Sequence, residues 1–375
     1  MISSHKASLT VFLIASVLCG GAVSAGAAQL TSRVLGSPQS AAASMDGNIF
    51  KIISDIRTIG STVDPMNGDQ NPYGLDIART SAGDLKAGDL VVCNFNDKAN
   101  VQGTGTTIEV LHPTPGSNPH RLAQSPVLNG CAALALGNPG DNPWVAAYSA
   151  NDNPVLSPKG QIFTPLANPI FEGPFGQAFS GTPGPFGGAA FYESNAQNGT
   201  LVRIGITPQG FTFHNIVLGF DVNHGVPGSI LGPSGLTYDA ARDTLYVIDG
   251  NDVGQVYAIS NVTKVRPFGI QICKTSDHCF TGPDASHIRL VYSGAPLNAP
   301  ISAALLFNGD LVIGNTGDNR LVQLNPTSGQ IEGLLNVDNG IAGALFGIAT
   351  SGTNAYDQRI YFNDDNDNTV KVVER

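Results

Sequence analysis

Six times the chain repeats one two-part pattern, and no other feature constrains its fold as tightly. The first part is a small-residue signal opening an apolar run: "NPYGLDIA" at 71, "LNGCAALA" at 128, "PFGQAF" at 174, "PSGLTYD" at 233, "APISAALL" at 299 and "LFGIAT" at 345. The second part is an apolar strand that runs into Asn, Asp and Gly: "LVVCNFNDKAN", "WVAAYSANDNPVL", "AAFYESNAQNGTLVRI", "LYVIDGNDVGQVYAI", "LVIGNTGDNRLVQL" and "IYFNDDNDNTVKVV". A further apolar strand follows closely in the last four copies. The pattern of the first part is roughly Pro-x-Gly-apolar-x-apolar, with Ser302 in the glycine place of the fifth copy. A small residue there lets a strand begin where neighbouring backbones crowd, as they do around a central axis. Asn and Asp suit the second part because they tolerate left-handed backbone and hydrogen-bond their own turn. The expected fold is all-β, a six-bladed propeller of four-stranded antiparallel blades. A β-sandwich would leave six copies of a two-part motif unexplained.

The last copy contains "NDDNDN", which invites a calcium reading. Asp364, Asn366 and Asn368 fall at positions 1, 3 and 5 of an EF-hand loop. That loop needs Gly at position 6 and a bidentate Glu at position 12, where this chain has Thr369 and Arg375. The run is therefore read as a hairpin turn. Residues 48–56, "NIFKIISDI", precede the first copy and alternate like a strand without a partner in their own unit. The last unit stops at Arg375 and lacks an outermost strand, so pairing the two ends would close the ring and cover an exposed edge.

The first residues read as a signal peptide: a short positive start, the apolar core "LTVFLIASVLCGGAV" and the small-residue stretch "AVSAGAA". That run is short for a transmembrane helix. Cleavage is placed after Ala25 or Ala27, with a lipoprotein acylated on Cys19 as the alternative. The organisation is then a signal peptide over 1–27, a lead-in over 28–47 and a propeller over 48–375. The exported chain is read as soluble, secreted or periplasmic, and monomeric, with no membrane span.

The formal net charge is −10, becoming −11 once Lys6 leaves with the signal peptide. No basic patch offsets it, which argues against nucleic acid and anionic lipid. Only 13% of residues are charged, against 45 Gly and 24 Pro, a balance that favours turns and short strands over long solvated helices. Four cysteines remain after export, and an even count in an oxidising compartment reads as two disulfides from three connectivities. The closeness of "CKTSDHC" favours Cys273–Cys279, with Cys93–Cys131 as the second. The rival is a metal site of His278 beside Cys273 and Cys279.

The stretches "GDLVIGNTGDNRLVQLNPTSGQIEG" (309–333) and "GLTYDAARDTLYVIDGNDVGQVYAI" (235–259), with the tail, resemble the NHL-repeat propellers. The resemblance extends over about residues 70 to 375. It implies the propeller fold and says little of function, because related propellers include protein-binding modules, lyases and calcium-dependent lactonases. By that resemblance, channel ligands for calcium would be Asp76, Glu193, Asn223, Asp249, Asn315 and Asp364. The plainer reading makes them turn and strand-end residues that satisfy backbone groups.

"GFDVNHGVPG" (219–228) stands outside the repeat and brings Asp221, Asn223 and His224 into a loop framed by Gly and Pro. It is a ligand-loop candidate or a solvated connection. The Phe/Pro/Gly-rich stretch at 168–188 is a ligand lip or blade packing. The chain has no H-E-x-x-H, P-loop, G-x-S-x-G or C-x-x-C. The first expectation is therefore a binding or scaffold module for a protein or glycan. The second is a calcium-dependent, lactonase-like hydrolase or lyase with its site in the central channel.

Overall fold

The computed structural model describes residues 47–186, 188–222, 232–251, 253–273 and 279–375. Six antiparallel sheets follow one another along the chain. Blade 1 is built from Gln70–Ile77, Leu90–Asn96, Thr107–Leu111 and His120–Gln124, and blade 2 from Cys131–Gly137, Asn142–Ala147, Val155–Leu156 and Ile162–Thr164. Blade 3 comprises Pro174–Ser180, Ala190–Asn195, Thr200–Thr207 and Gly210–Leu218. Blade 4 comprises Pro233–Asp239, Thr244–Asp249, Gln255–Ser260 and Ile288–Ser293. Blade 5 runs through Pro300–Leu305, Leu311–Asn315, Arg320–Asn325 and Gln330–Asn336, and blade 6 takes Leu345–Ser351, Arg359–Asp364 and Thr369–Glu374. The first strand of every blade packs against the first strand of the next, and that of blade 6 returns to blade 1. These six inner strands surround a channel, which defines a six-bladed β-propeller.

The small-residue signal forms the start of each inner strand, and the crowding it anticipates is present. A Cβ on Gly176 would lie 1.8 Å from the carbonyl oxygen of Ser234, and one on Gly347 2.4 Å from that of Tyr73. Both are contacts to the next blade's backbone, which no side chain can share. Ser302 occupies the same place in blade 5, where its hydroxyl donates to the carbonyl of Phe346 in blade 6. The second part of the repeat forms the next strand and its turn. Asn100, Asn151, Asn319 and Asn368 in these turns take left-handed φ of 58°, 58°, 53° and 54°.

The ring closes as the lone lead-in suggests, with a shift in where the strand begins. Asp55–Ser61 pairs antiparallel with Thr369–Glu374, from Asp55 opposite Glu374 to Ser61 opposite Thr369. The start of the 48–56 segment is not extended: Ile49–Lys51 is a short 3₁₀ turn. Asn48 accepts the Phe50 N–H at 2.9 Å, and Gln323 of blade 5 accepts the Ile49 N–H at 2.7 Å. These contacts bury Ile49, Phe50 and Ile53 beside blades 5 and 6. Apolar residues spaced to one side of a turn serve here in place of alternation.

A second departure is the sheet of blade 3, which gains Ile270–Ile272 and Phe280–Thr281. This hairpin belongs to blade 4's sequence but pairs parallel to Gly210–Leu218, with Val217 opposite Ile270. Its ends are joined by Cys273–Cys279, while Cys93–Cys131 ties blade 1 to the inner strand of blade 2. The first bond uses both thiols that a metal site with His278 would need, and His278 itself lies outside the described residues. Among the described residues no helix is long and apolar enough to cross a membrane.

Candidate functional site

The two ends of the channel differ. Where the inner strands begin, aromatic rings fill it. Tyr73 stacks on Phe346 at 3.9 Å and on Phe95 at 4.1 Å, with Phe175 edge-on at 6.0 Å. Ala132, Tyr148, Ala196 and Ile301 complete this buried cluster, which draws on five of the six inner strands. At the opposite end, where the inner strands finish, a cavity of about 400 Å³ opens, lined by all six blades. Leu75, Leu134, Leu236 and Ile348 line it, and Gln177, Thr237, Thr350, Phe179 and Tyr238 add polar and aromatic groups.

Asp76 and Arg79 carry the charge of this mouth. Asp76 sits two residues beyond the crowded glycine, where the strand turns its side chain toward blade 2 and accepts the Leu136 N–H at 2.8 Å. Its other oxygen accepts the Ile77 N–H at 2.8 Å and lies 3.6 Å from the Arg79 guanidinium. Burial raises the Asp76 pKa, while Arg79 and the two backbone N–H groups oppose the rise. Arg79 donates to the Leu136 carbonyl at 3.1 Å and stays half-exposed. The Thr237 and Thr350 hydroxyls donate to the carbonyls of Ala303 and Leu305 at 2.6 and 2.5 Å. A partly desolvated carboxylate beside a guanidinium, with amide and hydroxyl neighbours and apolar walls, can fix a small polar ligand through directed hydrogen bonds.

The other sequence candidates lie elsewhere. Asp249, Asn315 and Asp364 end their blades' second strands, opposite Pro233, Pro300 and Leu345, at the aromatic-filled end. Four strand residues separate that level from Asp76, roughly 13 Å along the channel. Each serves its own surroundings. Asp249 accepts the Asn251 N–H at 2.9 Å, Asn315 donates to the Pro296 carbonyl at 2.8 Å, and Asp364 pairs with Lys371 at 2.6 Å. Asp221 is exposed and borders a separate recess of about 320 Å³. Asn223 and His224 lie outside the described residues.

Glu193 is the one member of the set in a polar cluster with residues the sequence reading missed. It is wholly buried between blades 2 and 3, hydrogen-bonded by the Asn153 amide and 3.5 Å from that of Gln177. Burial holds its carboxyl well above the usual range, and the neighbouring Asp152 is pushed up to about 6 by its own burial. Asp152, Asn153, Gln177 and Glu193 each keep a buried oxygen without a hydrogen-bond partner. Orphaned oxygens of this kind fit a hard cation such as calcium, although six to eight ligands would require backbone or water oxygens as well. Among the described residues no three His, Cys, Asp or Glu side chains come together as metal ligands. Only "NDNP" at 151–154, with two acceptors beside a strand, hints at this cluster in the sequence.

No protein-family model matches the chain, and no curated protein does. Solved structures do match. One is a streptogramin B lyase, 16% identical, covering 86% of this chain and 98% of that one, with a TM-score of 0.52. Another is XC5397 from Xanthomonas campestris, described as a gluconolactonase, 12% identical over 86% and 96% of the two chains, with a TM-score of 0.53. A third, in a nidogen/laminin complex, is 11% identical over 80% and 97%, with a TM-score of 0.53. At these identities the likeness is one of fold alone.

Proposed function

We propose that the protein is an exported binding module that takes a short glycan, or one sugar unit of a larger one, in the mouth of the propeller channel. The observation that carries this reading is the Asp76–Arg79 pair in a cavity of about 400 Å³ lined by all six blades. Sugar hydroxyls are both donors and acceptors, which a carboxylate and a guanidinium match together. Phe179 and Tyr238, which also line the cavity, suit the apolar C–H side of a pyranose ring. The two disulfides and the apolar start of the chain support export. The test is saturation-transfer NMR against a panel of mono- and oligosaccharides, repeated with Arg79→Met. A bound sugar whose affinity falls about 10- to 100-fold in the variant supports the reading. Absence of any binding at millimolar sugar, or binding indifferent to Arg79, would defeat it.

A second reading, a cation-dependent hydrolase or lyase, draws on the orphaned oxygens around Glu193. Glu193 and Asp152 would hold the cation with the amide oxygens of Asn153 and Gln177, after each terminal amide turns over. Elemental analysis of the purified protein, with thermal unfolding before and after chelation, separates the two readings. Stoichiometric calcium and a large chelator-induced loss of stability would favour the enzyme.

A further inference from the structure

A buried arginine between blades 3 and 4 has no anionic partner among the described residues. Arg203, in the third strand of blade 3, is 2% exposed. Arg121, Arg242, Arg266 and Arg359 each reach a carboxylate at 2.5–2.9 Å. Arg203 forms no salt bridge among the described residues. One guanidinium nitrogen donates to the Val265 carbonyl at 2.7 Å, while Nε and the other terminal nitrogen are buried without a partner. The Phe186 ring lies over the guanidinium, 4.6 Å from its carbon to the ring centroid.

The space around these donors is built from small residues. Arg203 and Tyr192 line a pocket with Gly184, Gly188, Ala190 and Gly205. A Cβ on Gly184 would meet the Thr263 carbonyl oxygen at 2.5 Å, so this wall accepts no larger residue. The phenol of Tyr192 is buried and also lacks a hydrogen-bond partner. Asp243, the carboxylate on this side of blade 4, is engaged by Thr263 at 2.6 Å and Tyr238 at 3.0 Å. The pocket thus offers two guanidinium N–H directions and a phenolic O–H around a space of about 10 Å³, enough for one water or one monatomic ion. A charged group left unpaired in a dry interior is strongly disfavoured, and a counter-ion removes that penalty.

We propose that this pocket is a structural halide site, occupied by chloride held by Arg203 and Tyr192. Chloride would neutralise the arginine and tie blade 3 to the blade 4 turn that supplies Val265. The test uses the whole exported chain at constant ionic strength, with sodium chloride replaced stepwise by sodium gluconate. ³⁵Cl linewidths are recorded in parallel. The expected result is a saturable rise of the unfolding midpoint with chloride, about 3–5 °C when the site is filled. Excess ³⁵Cl broadening should accompany it and be competed away by bromide. Arg203→Met should abolish both effects. Tyr192→Phe, which keeps the packing if Arg203→Met fails to fold, should weaken the apparent chloride affinity about 10-fold, as expected for one hydrogen bond to a charged group. An unfolding midpoint unchanged as gluconate replaces chloride, with linewidths equal in wild type and Tyr192→Phe, would mean that water fills the pocket and would overturn the proposal.

Discussion

The two ends of the channel are made by the same six strands and have opposite characters. At the end where the strands begin, crowding selects glycine, and the residue before it points into the axis as Tyr73, Phe175, Ile301 or Phe346. The Asn and Asp turns surround this end and bond within their own blades, to the adjoining connection or, as Asn153 and Asn368 do, to a strand of the next blade. At the end where the strands finish, aliphatic and polar residues line the channel in place of stacked rings, and a cavity results. Acidic residues concentrated at the filled end need not mark a ligand site. The lesson is that chemistry in a propeller is allotted by level along the inner strand, a property that residue type alone does not express.

Truncating the plug should have the largest effect on stability. Phe346→Ala removes a buried ring stacked on Tyr73 and should cost about 3–5 kcal/mol in denaturant unfolding. Binding at the mouth should be unchanged. A loss of binding equal to that of Arg79→Met would break the separation of the two ends.

A shift of pH should act on the plugged end next. Asp152 and Asp365, both in turns on that side, are raised from 3.8 to about 6, chiefly by burial, with Asp364 adding to the rise at Asp365. The folded state keeps these protons while the unfolded chain has lost them. Their contribution is thus complete below about pH 4 and is lost as pH rises toward 6, at about 1.4 kcal/mol per pH unit for each group in that window. Asp64 works in the opposite direction. Arg121 and the N–H groups of Asn67 and Met66 outweigh its burial and hold its pKa below the usual range, so its stabilisation is lost only in stronger acid. Urea titrations at pH 4, 5 and 6 should show declining stability. Asp152→Asn should flatten the decline, and a rise over this range would contradict it.

The turn residues should have smaller, independent effects. Asp249→Ala and Asp364→Ala should each cost about 0.5–2 kcal/mol and should add in the double variant, with or without calcium. A coupling above about 1 kcal/mol that appears only with calcium would place them at a shared ion and erase the contrast between the ends. The smallest change in stability belongs to the mouth. Arg79→Met, at a half-exposed pair 3.6 Å apart, should alter unfolding by less than about 0.5 kcal/mol while weakening sugar binding about 10- to 100-fold.

Periodicity and turn chemistry are local, and what depends on them was legible without a structure. The Pro-x-Gly openings, the Asn turns with left-handed backbone and the short Cys273–Cys279 spacing required only neighbouring residues to interpret. The 3₁₀ turn at Ile49–Lys51 was not legible, because its cap is completed by Gln323 from blade 5. Nor was the parallel docking of the 270–281 hairpin onto blade 3, which leaves the repeat altogether.

The amino-acid sequence by itself determined the number of blades and the closure of the ring in outline, since each follows from spacing and backbone preference. The pairing of the cysteines was one of three connectivities until the structure joined Cys93 to Cys131 and Cys273 to Cys279. Only the tertiary structure decided that Asp76 faces an open cavity and Asp249, Asn315 and Asp364 a filled end. It alone brought Glu193 to Asn153 and left Arg203 without a carboxylate among the described residues. Those outcomes depend on which side chains of different blades meet once six sheets surround one axis, and on how much water that closure excludes from them.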